Sequence, residues 1–224
     1  MPDIPNRDEL ERILARAVGK ELASEFDDLL DALGDPPDPA NLPIGFWDDK
    51  EKEMRAVIEP LLVSTYLASA EILTAEITIG VEWGAVNEAA IEWVRNYTFD
   101  LVRGITDTTQ GVLQKAVETY FRDGLSKKEL AQLLEPSFGP VRAELIATTE
   151  TTRASVEAER DLVRTIERDN ENIKMIPIWQ TANDERVCEI CGPRHGKPIE
   201  DGIYPPAHPR CRCWVNYEPV VIEK

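Results

Sequence analysis

Residues 141–170 read VRAELIATTETTRASVEAERDLVRTIERDN, and this stretch decides the fold. With Pro140 at its start it forms one long helix to about Asn170, which at 1.5 Å per residue spans roughly 45 Å. Its polar run TTETTR (148–153) reads as helix surface, with Glu150 and Arg153 an i,i+3 pair. Most of the chain before this helix has helical patterning, and the chain after it changes character.

Upstream, Asn6 caps a helix in which Leu10, Ile13, Leu14, Ala17, Val18, Leu22, Phe26, Leu29, Leu30 and Leu33 recur at helical spacing until Gly34. The proline-rich segment DPPDPANLP (35–43) is a linker. A second helix starts near Trp47 and runs toward Gly80, kinked or divided at Pro60, which lacks an N–H and clashes with the preceding turn. Residues 86–103 are a further helix with Ile91, Val94, Phe99 and Val102 near one face. Thr106 or Asp107 caps the next, which ends at Gly124. Ser126 and Glu129 form a capping box for KKELAQLL, closed by Pro136 and Gly139.

Downstream, KMIPIWQTA (174–182) reads as a short edge strand, and CRCWVNYEPVVI (211–222) as a second strand. The residues between are rich in glycine and proline. The fold class expected is mainly α: an elongated helical body followed by a small β-rich module, α+β overall. Such a module is too small for a large core and needs a staple.

All four cysteines, Cys188, Cys191, Cys211 and Cys213, fall within this module together with both histidines, His195 and His208. Cys188-Glu189-Ile190-Cys191 is a C-x2-C pair, and His208 and Cys211 repeat that spacing across Pro209. Two such turns supply four donors to one tetrahedral Zn2+, so a structural zinc ion is the cofactor expected. Cys213 is an alternative ligand to Cys211, or a thiol behind the site; i and i+2 on an extended strand lie nearly 7 Å apart. His195 is the weaker candidate, because Gly192 and Pro193 aim its loop away. Two disulfides are the competing reading. Trp179 and Trp214 flank the segment as its miniature core. Asp184 is read as an Asx-type turn with Arg186 as its partner.

Charge bounds the partners. The 224 residues carry 42 Asp and Glu against 25 Lys and Arg, a net charge of −17. Residues 1–60 hold 16 acidic and 7 basic side chains, whereas between Arg186 and Arg212 five basic residues oppose three acidic ones. A protein that binds nucleic acid by neutralising phosphate needs a basic face, so DNA contact is expected only through the C-terminal module. The longest run free of charged residues is Pro60 to Ala70, 11 residues, against the ~20 of a membrane helix. The N-terminus has no apolar segment of the secretory type, and no membrane role is expected.

No P-loop, nucleotide fingerprint, nucleophile elbow or paired catalytic carboxylates appear. Two alternatives remain: a treble-clef zinc nuclease, which would have to rely on His195 or Asn216 if His208 binds metal, and a zinc module that binds DNA through Arg186, Arg194, Lys197, Arg210 and Arg212.

The helix RAELIATTETTRA (142–154), then Trp179, Thr181, Asp184 and Arg186 leading into Cys188 and Cys191, then Gly196-Lys197 and PPAHPRCRC (205–213), together resemble the phage Mu F-like minor head proteins. The likeness covers about residues 100–217, including GLSKKELA (124–131). It implies a head morphogenesis protein of a tailed phage or prophage, resident in the virion head and in the host cytoplasm during assembly. The implied partners are the portal protein and the major capsid or scaffold protein, in an interaction role with no catalysis. On this reading the chain divides into an acidic helical region (1–100), the helical part of the Mu F-like domain (101–171) and the Cys/His module (172–224).

Overall fold

The computed structural model describes residues 4, 6–77, 82–182, 185 and 187–222. The first helix, α1 (Arg7–Leu33), buries the stripe Leu14, Val18, Leu22, Leu29 and Leu33. Its start differs from expectation. Asn6 sits in the left-handed region with φ 54° and makes no side-chain cap bond; its carbonyl instead accepts from the amides of Glu9 and Leu10. Gly34, at φ 77°, ends the helix.

Helix α2 (Phe46–Ile77) runs through Pro60 as one element, so the expected division is not found. Ile58 and Leu62, on either side of the proline, are fully buried, and packing of this kind outweighs one lost backbone bond. The stretch Phe46–Ala75 is also long and apolar enough, by length and composition, to cross a membrane, which the short charge-free run did not suggest. Here Ile58, Leu62, Tyr66, Ala70 and Leu73 face the protein interior. The end of this helix near Gly80 lies outside the described residues.

Helix α3 (Trp83–Asp123) is continuous over 41 residues, about 60 Å at 1.5 Å per residue. The expected break at Thr106 or Asp107 is absent. Thr106 and Thr109 are buried, and the Thr109 hydroxyl donates to the Ile105 carbonyl at 2.9 Å, within the helix rather than capping a new one. Val94 and Val102 are buried as expected, while Ile91 and Phe99 are exposed. The guanidinium groups of Arg55 and Arg103 lie over the Phe99 ring.

Gly124, at φ 66°, closes α3, and the Ser126–Glu129 capping box opens α4 (Lys127–Leu134). After a short turn at Pro136, α5 (Pro140–Asp169) begins at a proline, whose missing N–H costs nothing in a first turn. Helices α1 and α2 both pack along α5, and α3 packs along α2. The core between them holds Leu22, Leu29, Ile58, Leu62, Leu130, Leu134 and Ala147.

The TTETTR run of α5 is not surface. Thr149, Glu150, Thr151 and Thr152 are all buried. The expected pair is present, with Arg153 Nε 3.4 Å from Glu150 Oε2, and the Tyr97 hydroxyl also donates to Glu150.

Strand β1 (Ile173–Gln180) pairs antiparallel with β2 (Trp214–Val221), in a register that sets Ile173 opposite Val221 and Gln180 opposite Trp214. The other edge of β1 is covered over its second half. Trp179 N donates to Lys197 O at 2.9 Å, Gly196 N to Trp179 O at 2.8 Å, and Ile199 N to Pro177 O at 2.8 Å. Met175 anchors the sheet on Leu73, Leu162, Val163 and Ile166 of the helical body.

Candidate metal centre

Two tight turns face each other in the segment between β1 and β2. In the first, Cys191 N donates to Cys188 O at 3.2 Å and Gly192 N to the same carbonyl at 2.9 Å. In the second, Cys211 N donates to His208 O, again at 3.2 Å. Arg210 in the second turn takes φ 61°, a left-handed conformation that non-glycine residues adopt rarely. The x2 spacing read from the sequence therefore corresponds to two turns closed by the same hydrogen bond.

The turns bring their donors together. His208 Nε2 lies 3.1 Å from Cys188 Sγ and 3.3 Å from Cys191 Sγ, and Cys191 Sγ lies 3.8 Å from Cys211 Sγ. Cys188, Cys191 and His208 form one group with a spacing suited to a metal ion, and Cys191, Cys211 and Cys213 form a second. Cys191 is common to both. All four cysteines are free thiols, and 3.8 Å is far beyond the ~2.05 Å of a disulfide.

The electrostatics fit a cation. His208 Nδ1 is 2.8 Å from the Pro209 carbonyl, which can only accept, so Nδ1 carries the hydrogen. That leaves Nε2 as the nitrogen facing the sulfurs, the one a metal-bound histidine uses. Without an ion, and against the effect of burial, the Pro209 carbonyl and the charges of Cys211 and Cys188 raise the His208 pKa. The Cys213 thiol, donating to Cys211, brings the Cys211 pKa down to about 5 against the effect of burial. The same contact and burial push Cys213 far up. Burial also raises Cys191, to about 12, with the charge of Cys211 adding to it. Burial opposes ionisation of Cys188, but the backbone amides of Cys191 and Ile190 and the His208 ring outweigh it and lower its pKa. Without a cation, these thiols divide into ionised and protonated members. A divalent ion would let the ligating thiols ionise together.

Trp179, Cys191, Cys211 and Cys213 make a small buried cluster with Val187, Ile199 and Ala207 around it. Trp214 is only partly buried and lies outside that cluster, so the miniature core has one tryptophan, not two. His195 is directed elsewhere, as its loop geometry predicts: its Nδ1 accepts from Thr181 N at 3.1 Å. Asp184 and Arg186 lie outside the described residues.

The second turn is also tied to the helices, by residues that the sequence reading missed. Arg210 N donates to Thr149 Oγ1 at 2.9 Å, and Thr152 Oγ1 donates to Cys211 O at 2.8 Å. Four threonines within a six-residue stretch of helix, where threonine has poor propensity, were the available signal. A cavity of about 540 Å³ opens beside the donors, with Cys188, Cys191, His208 and Cys211 on its lining and Glu11, Glu144 and Thr148 also on it. It gives an ion a route to the sulfurs.

Three of the module's basic residues are already engaged. Arg212 pairs with Asp8 and Glu11, Arg210 with Glu144, and Arg194 with Asp201. Three of the five side chains proposed for phosphate contact thus face carboxylates of their own chain.

No curated protein and no solved structure matches the chain. The family described as Phage Mu protein F like protein matches residues 111–216, from the second half of α3 through the Cys/His turns into β2. That region, which contains both turns and the threonine run that holds them, is similar to the Phage Mu protein F like family.

Proposed function

We propose that this chain is a minor head protein of a tailed phage or prophage, acting in head morphogenesis by docking on the portal or the inner capsid. The observation that carries the reading is the family match over residues 111–216, which agrees with the resemblance drawn from the motifs. The protein would reside in the virion head, and in the host cytoplasm during assembly. A part in DNA packaging or ejection belongs to the same reading.

The C-terminal module, residues 172–224, would hold one structural Zn2+. Its ligands would be Cys188, Cys191, His208 and Cys211, one pair from each turn. Cys213, pressed against Cys211 and Cys191, would stay a neutral thiol donating to the ligating sulfurs. Four protein donors close the coordination sphere and leave no position for a reacting water. Glu11 and Glu144, the carboxylates nearest the cavity, are paired with Arg212 and Arg210. These features favour a staple over a catalytic zinc, and an interaction role over nuclease activity.

Co-expression with portal, scaffold and capsid proteins, followed by purification of procapsids, tests the role. The chain should co-purify with portal or procapsids. A chain that stays entirely in the unassembled fraction would refute the head-protein reading.

A further inference from the structure

The start of α1 is held jointly by the threonines of α5 and by Arg212, which follows the second metal turn. From Leu14 onward α1 has its own buried stripe, but before that its buried side chains are Ile4 and Arg7. Arg7 Nη1 donates to Thr152 Oγ1 at 3.0 Å, and that hydroxyl donates to Cys211 O at 2.8 Å. Arg212, the next residue, donates to Glu11 Oε1 at 3.1 Å and also bonds Asp8. Glu11 in turn accepts from Thr148 Oγ1 at 3.3 Å. Asp8, Glu11 and Arg7 thus converge on Cys211-Arg212 and on the α5 threonines that hold it.

We propose that metal loading of the Cys/His centre locks the first turns of α1 onto α5, so that the ion controls whether residues 4–12 are docked or free. The inference rests on the zinc reading above. The physical link is short. Cys211 supplies a ligand through its side chain and accepts from Thr152 through its carbonyl, and Arg212 leaves the chain one residue later. An ion that fixes the His208–Cys211 turn fixes the carbonyl and the guanidinium with it. Loss of the ion frees both, and the start of α1 then keeps Ile4 and the bonds of Arg7 and Glu11 to Thr152 and Thr148 of α5 but loses the ion pairs from Arg212. From Leu14 to Leu33 the helix stays, because its core contacts do not pass through the turn.

Hydrogen exchange of the full chain, zinc-loaded and after chelation, reads this directly, with zinc content followed by native mass spectrometry. Chelation should speed exchange of the amides of residues 7–12 about tenfold or more, together with residues 187–213, while α2 and the rest of α1 keep their protection. Arg212→Ala in the zinc-loaded protein should speed residues 7–12 alone, with zinc retained. Opening of 187–213 on chelation with residues 7–12 unchanged would overturn the lock while leaving the zinc site intact. A zinc-loaded Arg212→Ala variant with unaltered exchange at 7–12 would overturn it too. Failure of the wild type to take up zinc would refute the zinc reading first, and the proposed control with it.

Discussion

Cys191 and Cys211, twenty residues apart, hold their Sγ atoms at 3.8 Å, which is the sulfur–sulfur edge of about 3.8 Å set by Zn–S bonds of about 2.3 Å in a tetrahedron. The distance arises from two turns of equal build. Each places a first donor, Cys188 or His208, and closes with a 3.2 Å bond from the amide of the second donor to the carbonyl of the first. That pairing distinguishes Cys211 from Cys213, which directly precedes β2.

Substitution of the two residues should therefore separate. Cys211→Ala should weaken zinc binding by more than the ~10–100-fold typical of losing an outer partner, whereas Cys213→Ala should retain one zinc per chain with affinity lowered by about tenfold. Competition against a chromophoric chelator measures both. Equal loss in the two variants would remove the distinction.

Thr152 joins the metal turn to the helical body. Thr152→Val keeps the shape but removes the acceptor used by Arg7 and the donor used by Cys211 O. It should cost about 1–3 kcal/mol in urea unfolding of the zinc-loaded protein, and Thr152→Ser, which keeps the hydroxyl, should cost less. The comparison isolates the hydroxyl from the methyl group.

Glu25 makes stability depend on pH. It is buried on α1, with Oε1 lacking a hydrogen-bond partner. Burial raises its pKa from 4.5 to about 7, with Arg142 and Lys50 opposing the rise and Glu53 adding to it. The folded state holds this proton more tightly than the unfolded chain, so its contribution to stability falls as pH rises from about 4.5 to 7 and stays lost above. Glu25→Gln should flatten that decline and stabilise the protein at pH 8 by on the order of 2–3 kcal/mol. Urea midpoints at pH 5 and pH 8 for the two proteins give the test, and a wild type more stable at pH 8 than the variant would contradict it.

DNA should not bind through the arginines of the module. Arg194, Arg210 and Arg212 are each paired with acidic groups of the same chain. Electrophoretic mobility of duplex DNA should be unchanged at moderate salt, and a shift that vanishes steeply as salt rises would show phosphate contact.

Much of this was legible in the sequence because the signals are local. The capping box at Ser126 and Glu129, the glycine stops at Gly34 and Gly124, and the x2 spacing of both turns depend on neighbouring residues, and each is found in the structure. The errors came where distant packing decides. Pro60 does not divide α2 because Ile58 and Leu62 are buried beside it, and Thr106 lies inside a helix although its side chain suits a cap. The TTETTR run looked like solvated surface because its partners, Arg7 and the 210–211 backbone, lie about sixty residues or more away in sequence. A polar helix face bound to backbone looks in sequence much like one bound to water.

The central claim is that donors from two matched turns make one closed metal centre. Native mass spectrometry of untagged protein, purified without chelator, tests it most directly. The account predicts one zinc per chain, released by acid, with all four cysteines recovered as thiols. A metal-free mass, or a mass reduced by the hydrogens lost to disulfides among Cys188, Cys191, Cys211 and Cys213, would contradict it.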